Sequence, residues 1–341
     1  MSPQADAYRH QTVAVTGATG FVGQYLVRRL LTHGAKVVVL VRNTVRLPAD
    51  LALQCRVVSG DLLDVEALNA MLEGATYLFH CAANVATWGP WQTYAKTNVE
   101  GVHALLAAVT QNGSSLKRLV HLSTLDVYGF PVLPADESTV LRKVAYGYGE
   151  SKRLGDLAVQ ENGAHTGLSY VVLRPGNIVG PRSPFVSRIG KALRDGWMLT
   201  VDGGLHHAGL LDIENLVDVM LWAGMSTQAH QQVYNVRDPW EISWADYLRD
   251  VQSGLNVRGK VVDLPYGIVN LLAHSYAAPF LWAAPMREPA LHPLIVQIFG
   301  KTCGHPISKL KSHGAEVGRV DYRLSLQRSL EWFVAENSIS D

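Results

Sequence analysis

The sequence predicts an α/β fold built on a doubly wound parallel sheet, with a smaller and mostly C-terminal lobe. Two patterns predict it. Short, almost wholly apolar, β-branched runs alternate with helical patterns through the first half of the chain, as expected for strands covered on both faces and joined by crossover helices. Between the first run and the first helix lies a glycine-rich loop, Thr16-Gly17-Ala18-Thr19-Gly20-Phe21-Val22-Gly23. The chain has 341 residues, 48% of them hydrophobic, so it can bury a core larger than one typical domain needs.

Taken in order, strands are expected over 12–16, 36–41, 56–58, 77–80, 119–122 and 170–173. Helices are expected over 21–32, 64–72, 92–111 and 148–161. After Pro181 the rhythm breaks as glycines, prolines and tryptophans thicken. One more buried strand reads at 233–236, and a helix at 212–223 has Asp212 as its cap. Residues 1–180 are therefore expected to form the dinucleotide-type domain, with part of 205–240 returning to it. Residues 181–204 and 241–341 are expected to form a substrate lobe.

Gly17, Gly20 and Gly23 recur every third residue between strand and helix. That arrangement suits a dinucleotide pyrophosphate. Gly17 turns tightly, Gly20 admits the phosphates, and Gly23 lets helix and sheet close up. Free amides at Phe21 and Val22, with the Thr19 segment before them, would face the phosphates. In a NAD site an acidic residue ends the second strand. Here Arg42 and Asn43 stand there, and no carboxylate follows until Asp50. Arg42 can bracket a 2′-phosphate, so NADP(H) is preferred over NAD(H). If Arg42 only stacks on adenine, both would serve.

Tyr148 and Lys152, four residues apart, lie on one helix face. A phenol ordinarily titrates near 10, and a lysine one turn away stabilises phenolate, so the pair suits proton transfer near neutrality. Tyr146 competes, but its neighbour four residues on is Glu150, which would raise a phenol's pKa; Tyr148 is preferred.

The GxxGxxG spacing, together with these residues, resembles the extended branch of the short-chain dehydrogenase/reductase superfamily, the Rossmann-fold epimerase/dehydratase group. The resemblance implies that Asp61 and Leu62, after the third strand, contact adenine. It also implies that Ala82 and Ala83, ending the fourth, lie beside the nicotinamide ribose. His121-Leu122-Ser123-Thr124-Leu125-Asp126-Val127-Tyr128-Gly129 resembles the family's hydroxyl-bearing segment. Thr124 is the matching hydroxyl, with Ser123 the alternative, and Asp126 is expected to point away. Asn98 matches an architectural asparagine. In the segment around Pro175, Asn177 and Ile178, the proline and isoleucine would position the nicotinamide ring. Ala86-Thr87-Trp88-Gly89-Pro90-Trp91, with Tyr94, looks like the substrate mouth of the 3β-hydroxysteroid dehydrogenase branch.

These features imply hydride transfer between a nicotinamide and a ketone or secondary alcohol in a hydrophobic molecule. Two alternatives stand beside that reading. One is a nucleotide-sugar epimerase or dehydratase, with Arg182, Arg188, Arg194 and Arg237 available for a diphosphate. The other is a cofactor-sensing protein without chemistry. The balanced net charge of +1 weighs against a nucleic-acid partner. The three scattered cysteines suit reduced thiols. Adjacent His206 and His207 diverge, so no metal is expected. The polar stretch 1–11 suggests no secretory leader, and a cytoplasmic homodimer is expected. Apolar residues 266–286, interrupted by Asn270, His274, Ser275, Pro279 and Pro285, are expected to form a wall or lid over the substrate rather than a spanning helix. Loose contact with a bilayer surface is the alternative.

Overall fold

Seven parallel strands form the central sheet of this computed structural model, which describes residues 7–113 and 115–338; residues 1–6 of the polar N-terminal stretch lie outside them. The strands are β1 (Thr12–Thr16), β2 (Lys36–Val41), β3 (Arg56–Ser59), β4 (Tyr77–His80), β5 (Arg118–Leu122), β6 (Tyr170–Pro175) and β10 (Gln232–Val236), in the order β10-β6-β5-β4-β1-β2-β3. Their unbroken apolar character has a direct cause: alternate side chains serve opposite faces. Val13, Val15, Val37, Val39 and Phe79 enter one core, while Ala14, Val38, Leu40 and Leu78 enter the other. This is the doubly wound parallel sheet the sequence predicts. Winding reverses between β1 and β4, which leaves a crevice at their C-terminal ends.

Helix α1 (Phe21–Thr32) follows the glycine loop and α2 (Val65–Leu72) follows β3. Residues 92–111 are helical throughout, with one π-helical turn inside the rod. A short helical stretch, Trp91–Ala95, leads through a π-helical turn, Lys96–Glu100, into α3 (Gly101–Asn112). That wider turn puts Asn98 against Asn84 and Ser151, with hydrogen bonds of 2.7–2.9 Å. α4 (Gly147–Thr166) buries Lys152, Asp156 and Val159 on its sheet-facing side.

After β6 the chain forms β7 (Asn177–Val179), α5 (Pro184–Arg194), β8 (Trp197–Val201) and β9 (Leu210–Asp212). α6 (Ile213–Met225) then begins at Asp212, whose carboxylate accepts the Glu214 amide at 2.7 Å, and leads back to β10 in the main sheet. α7 (Trp244–Leu255) starts on a Ser243/Asp246 capping box. β11 (Lys260–Leu264) pairs with β8, and α8 (Tyr266–Ala283), α9 (Pro293–Gly300) and α10 (Tyr322–Ser338) complete the described chain. A third core gathers Ile189, Leu193, Trp244, Tyr247, Phe299 and Leu330.

α8 packs unlike the others. Its buried stripe is Val269, Ala273 and Ala277, while Ile268, Leu271, Leu272, Tyr276 and Trp282 face outward. Its largest apolar groups therefore face away from the chain's own core. Among the described residues, no helix is long and apolar enough to cross a membrane.

Candidate active site

The crevice at the winding reversal is a cleft of about 450 Å³. Gly17, Thr19, Gly20, Arg42, Asp61, Leu62, Ala82 and Ala83 line it, as do Thr16, Asn43, Arg46 and Cys81. Gly17 has φ +77°, and a Cβ there would stand 2.6 Å from the Ala82 amide nitrogen. A Cβ on Gly23 would overlap the Gly17 carbonyl. Only glycine permits both approaches. At Gly20, by contrast, only the Gly17 carbonyl lies within reach, at 3.3 Å, leaving room beside the cleft. Phe21, Val22 and Gly23 start α1 below it. Thr16 fixes the floor: its hydroxyl accepts the Ala82 amide at 3.2 Å and lies 2.7 Å from Nδ1 of His80.

Arg42 and Arg46 both stand at the end lined by β2. Asp50 is paired with Arg28 at 2.8 Å. Asp61 turns its carboxylate onto the Leu63 amide at 2.8 Å while lining the cleft. The shape, glycine contacts and guanidinium groups fit a dinucleotide. Arg46 was not among the sequence candidates, although its place four residues after Arg42, across the turn Thr44–Arg46, is a usable signal.

Beyond Cys81 lies the titratable cluster. The Thr124 hydroxyl neighbours the Tyr148 phenol. Burial first, then Asp126, push that phenol above its ordinary value, with the Thr124 hydroxyl opposing. The phenol is thus held protonated, as a proton donor must be. Asp126 does not point away. Thr124 caps the short helix Leu125–Tyr128, accepting the Asp126 amide at 3.3 Å, and its hydroxyl also meets the Asp126 carboxyl. Burial raises that carboxyl to about 7. Ser123, the alternative hydroxyl, instead donates to Asp156 at 2.7 Å.

Lys152 occupies the expected helix face, but its ammonium donates to the Leu122 carbonyl at 2.5 Å. Burial lowers it to about 8, against Asp156 and Cys81. The groups moving Tyr148 are its burial, Asp126 and Thr124, so the expected depression of the phenol by Lys152 is not the arrangement seen. Nor does Glu150 govern Tyr146: it binds Arg153 and the Val144 amide, and burial with Gln297 sets that phenol. His80 and His121 stack 5.2 Å apart behind Lys152, and burial holds both imidazoles neutral, His80 at about 3.

Asp156 anchors a buried network behind the site. It takes Arg174 through two hydrogen bonds of 2.8 and 3.0 Å; Arg174 also donates to the Tyr128 hydroxyl, which donates to Asn235. Pro175 ends β6, and Asn177 and Ile178 open β7. The Asn177 side chain donates to the Ala208 carbonyl at 2.7 Å. On the loop after β4, Thr87 donates to Glu288 at 2.6 Å, Arg188 pairs with Glu288 at 2.7 Å, and Trp88 lies against His292. His292 first, with Thr87 and Arg188, draws Glu288 down to about 2.

With a glycine cradle at the C-terminal end of a parallel sheet, and a protonated phenol and a buried lysine beyond Cys81, the protein is an NAD(P)-dependent enzyme, as its family and relatives show. The chain belongs to the NAD dependent epimerase/dehydratase family, whose profile matches residues 13–236. It is 29% identical over 320 residues to the 4-hydroxy-2-methyl-3-oxo-4-farnesyl-3,4-dihydroquinoline-1-oxide ketoreductase of Stigmatella aurantiaca, covering 92% of this chain and 93% of that protein. It is 25% identical over 309 residues to the N-acetyl-alpha-D-glucosaminyl-diphospho-ditrans,octacis-undecaprenol 4-epimerase of Escherichia coli O157:H7, covering 89% and 90%. The UDP-glucose 4-epimerase of Thermotoga maritima shares the fold, with a TM-score of 0.76 at 20% identity over 96% of this chain and 100% of that one.

Proposed function

We propose that the protein is an NADP(H)-dependent reductase that interconverts a ketone and a secondary alcohol on a hydrophobic substrate. The observation that carries this is the contact between Thr124 and a protonated Tyr148, one helical turn before a buried lysine. The farnesyl-bearing substrate in the name of the Stigmatella relative supports the substrate class.

Gly17, Thr19, Gly20, Phe21, Val22 and Gly23 would hold the pyrophosphate, Asp61 and Leu62 the adenine, and Ala82, Ala83, Pro175, Asn177 and Ile178 the nicotinamide half. Arg42 and Arg46 would take a 2′-phosphate, which is why NADP(H) is preferred although the family's description names NAD. Held by these residues, a nicotinamide would supply or accept the hydride at the substrate carbon. Tyr148 donates the proton to the substrate oxygen during reduction, and Thr124 orients that oxygen. Lys152, lowered to about 8, would exchange the Leu122 carbonyl for a ribose hydroxyl of the bound cofactor. Asp126, near 7, would return a proton to Tyr148.

An epimerase reading has one observation in its favour, the Asp126 carboxyl beside Thr124 and Tyr148. Against it, the arginines a sugar diphosphate would need are engaged: Arg182 with Gln24, Arg188 with Glu288, Arg194 over Phe333 and Arg237 on the His305 carbonyl. The test is NADPH oxidation over a panel of hydrophobic ketones, run beside UDP-sugars. Ketone-dependent oxidation supports the reductase. Sugar conversion without net cofactor use replaces it with the epimerase, and tight cofactor binding without turnover replaces it with a sensing role. We further infer a cytoplasmic homodimer, to be tested by cell fractionation and sedimentation equilibrium.

A further inference from the structure

We propose that the outward face of α8 docks on an anionic lipid bilayer and delivers a lipid-tailed substrate to the mouth. The proposal rests, for the substrate alone, on the hydrophobic-substrate reading above. Leu271 is 68% exposed and Trp282 90%, and Ile268, Leu272 and Tyr276 share their side of the helix. No charged residue interrupts the sequence from Tyr266 to Met286. The inward stripe is built from the smaller Val269, Ala273 and Ala277, the inverse of an ordinary surface helix. A contiguous apolar face of this kind marks an interaction surface.

Three observations select lipid as the occupant. First, exposed Arg258 and Lys260 precede α8 along the chain and exposed Arg287 follows it. The one carboxylate within 257–287, Asp263, accepts the Gly203 amide. Cations flanking an apolar helix in the chain suit anionic headgroups. A second copy meeting this face across a two-fold axis would bring the same cations together. Second, Tyr276 and Trp282 are the aromatic types that settle at the headgroup level. Third, the face continues into the mouth. The chain leaves α8 through Arg287 to Glu288, which binds Thr87 and Arg188, and His292 lies against Trp88. A substrate whose tail resides in the membrane would meet the mouth loop without crossing water.

The test is flotation of the full chain with vesicles of phosphatidylcholine alone and with 30% phosphatidylglycerol added. The wild type is expected on the anionic vesicles. Leu271→Asp/Trp282→Asp should cut the bound fraction at least tenfold, with an unchanged melting temperature. Arg258→Glu/Lys260→Glu/Arg287→Glu should weaken anionic binding while leaving the apolar face intact. Trp282→Phe should remove most of the fluorescence that brominated lipids quench. Wild type and both multiple variants floating alike would overturn the docking, as would no flotation joined to a dimer lost in the Leu271→Asp/Trp282→Asp protein. Vesicle binding needs no turnover, so flotation without ketone reduction sinks the substrate reading alone, and ketone reduction without flotation sinks the docking alone.

Discussion

Helices α1 and α8 are both rich in apolar residues, yet they treat them in opposite ways. α1 sets Leu26, Val27 and Leu30 inward and turns Arg28 and Arg29 to the surface, where they meet Asp50 and Asp218. α8 buries small groups and presents large ones to solvent. The first helix supports a cradle in which added methyl groups would collide with backbone. The second shapes a surface whose partner lies outside the chain. Apolar composition therefore identifies an interface, and only the size ordering across the helix says which side of it the protein supplies.

The chemical centre should be where single changes cost most. Tyr148→Phe is expected to lower turnover about 10²–10⁴-fold, the usual worth of a positioned acid, with cofactor affinity unchanged by fluorescence titration. Activity within tenfold of wild type would remove Tyr148 from that role. Next comes the support behind it. Asp156→Ala leaves the buried Arg174 guanidinium uncompensated and should cost about 3–5 kcal/mol in urea denaturation. Arg188→Ala at the half-exposed mouth pair should cost less than about 1 kcal/mol. Equal losses would erase the contrast between the two regions.

Cofactor choice should respond more modestly. Arg42→Asp is expected to move the NADP/NAD ratio of kcat/KM about ten- to a hundredfold toward NAD, the range for one charge-assisted hydrogen bond. An unmoved ratio takes Arg42 away from the phosphate. The smallest effect concerns Asp126. Its folded pKa of about 7 lies above the ordinary carboxylate value near 4. The neutral carboxyl thus stabilises the fold fully below about pH 4, and that contribution is lost as pH rises through 7. Asp126→Asn should flatten the decline in melting temperature between pH 4 and 7 by a few degrees. Asp238, also near 7, keeps part of the slope in place. A variant with the full wild-type slope would show that Asp126 does not titrate there.

The sheet was legible because β1, β2 and β4–β6 carry apolar side chains on both faces, a pattern few other elements share. The glycine cradle was legible because close approach demands one residue type at a fixed interval. The lobe was less so: β7 and β9 hold three residues each, and β11 is largely exposed, so neither leaves a periodic trace. Side-chain direction was hardest. Asp126 follows Thr124 by two residues, and only the tight turn at Leu125–Tyr128 brings its carboxyl back to that hydroxyl. Lys152 was placed on the correct helix face, but the Leu122 carbonyl that holds its ammonium belongs to a strand thirty residues earlier.

The widened turn at Lys96–Glu100 has a mechanical consequence. One additional residue shifts the angular phase of all that follows by about 100°. Upstream of it Tyr94 packs against Gly147, within it Asn98 reaches Ser151, and downstream Val102 and Leu105 enter the sheet's core. Deleting one residue there would straighten the coil while forcing one of these alignments out of phase. The irregularity is thus an adapter that lets a single rod serve a reactive centre with one end and a scaffold with the other.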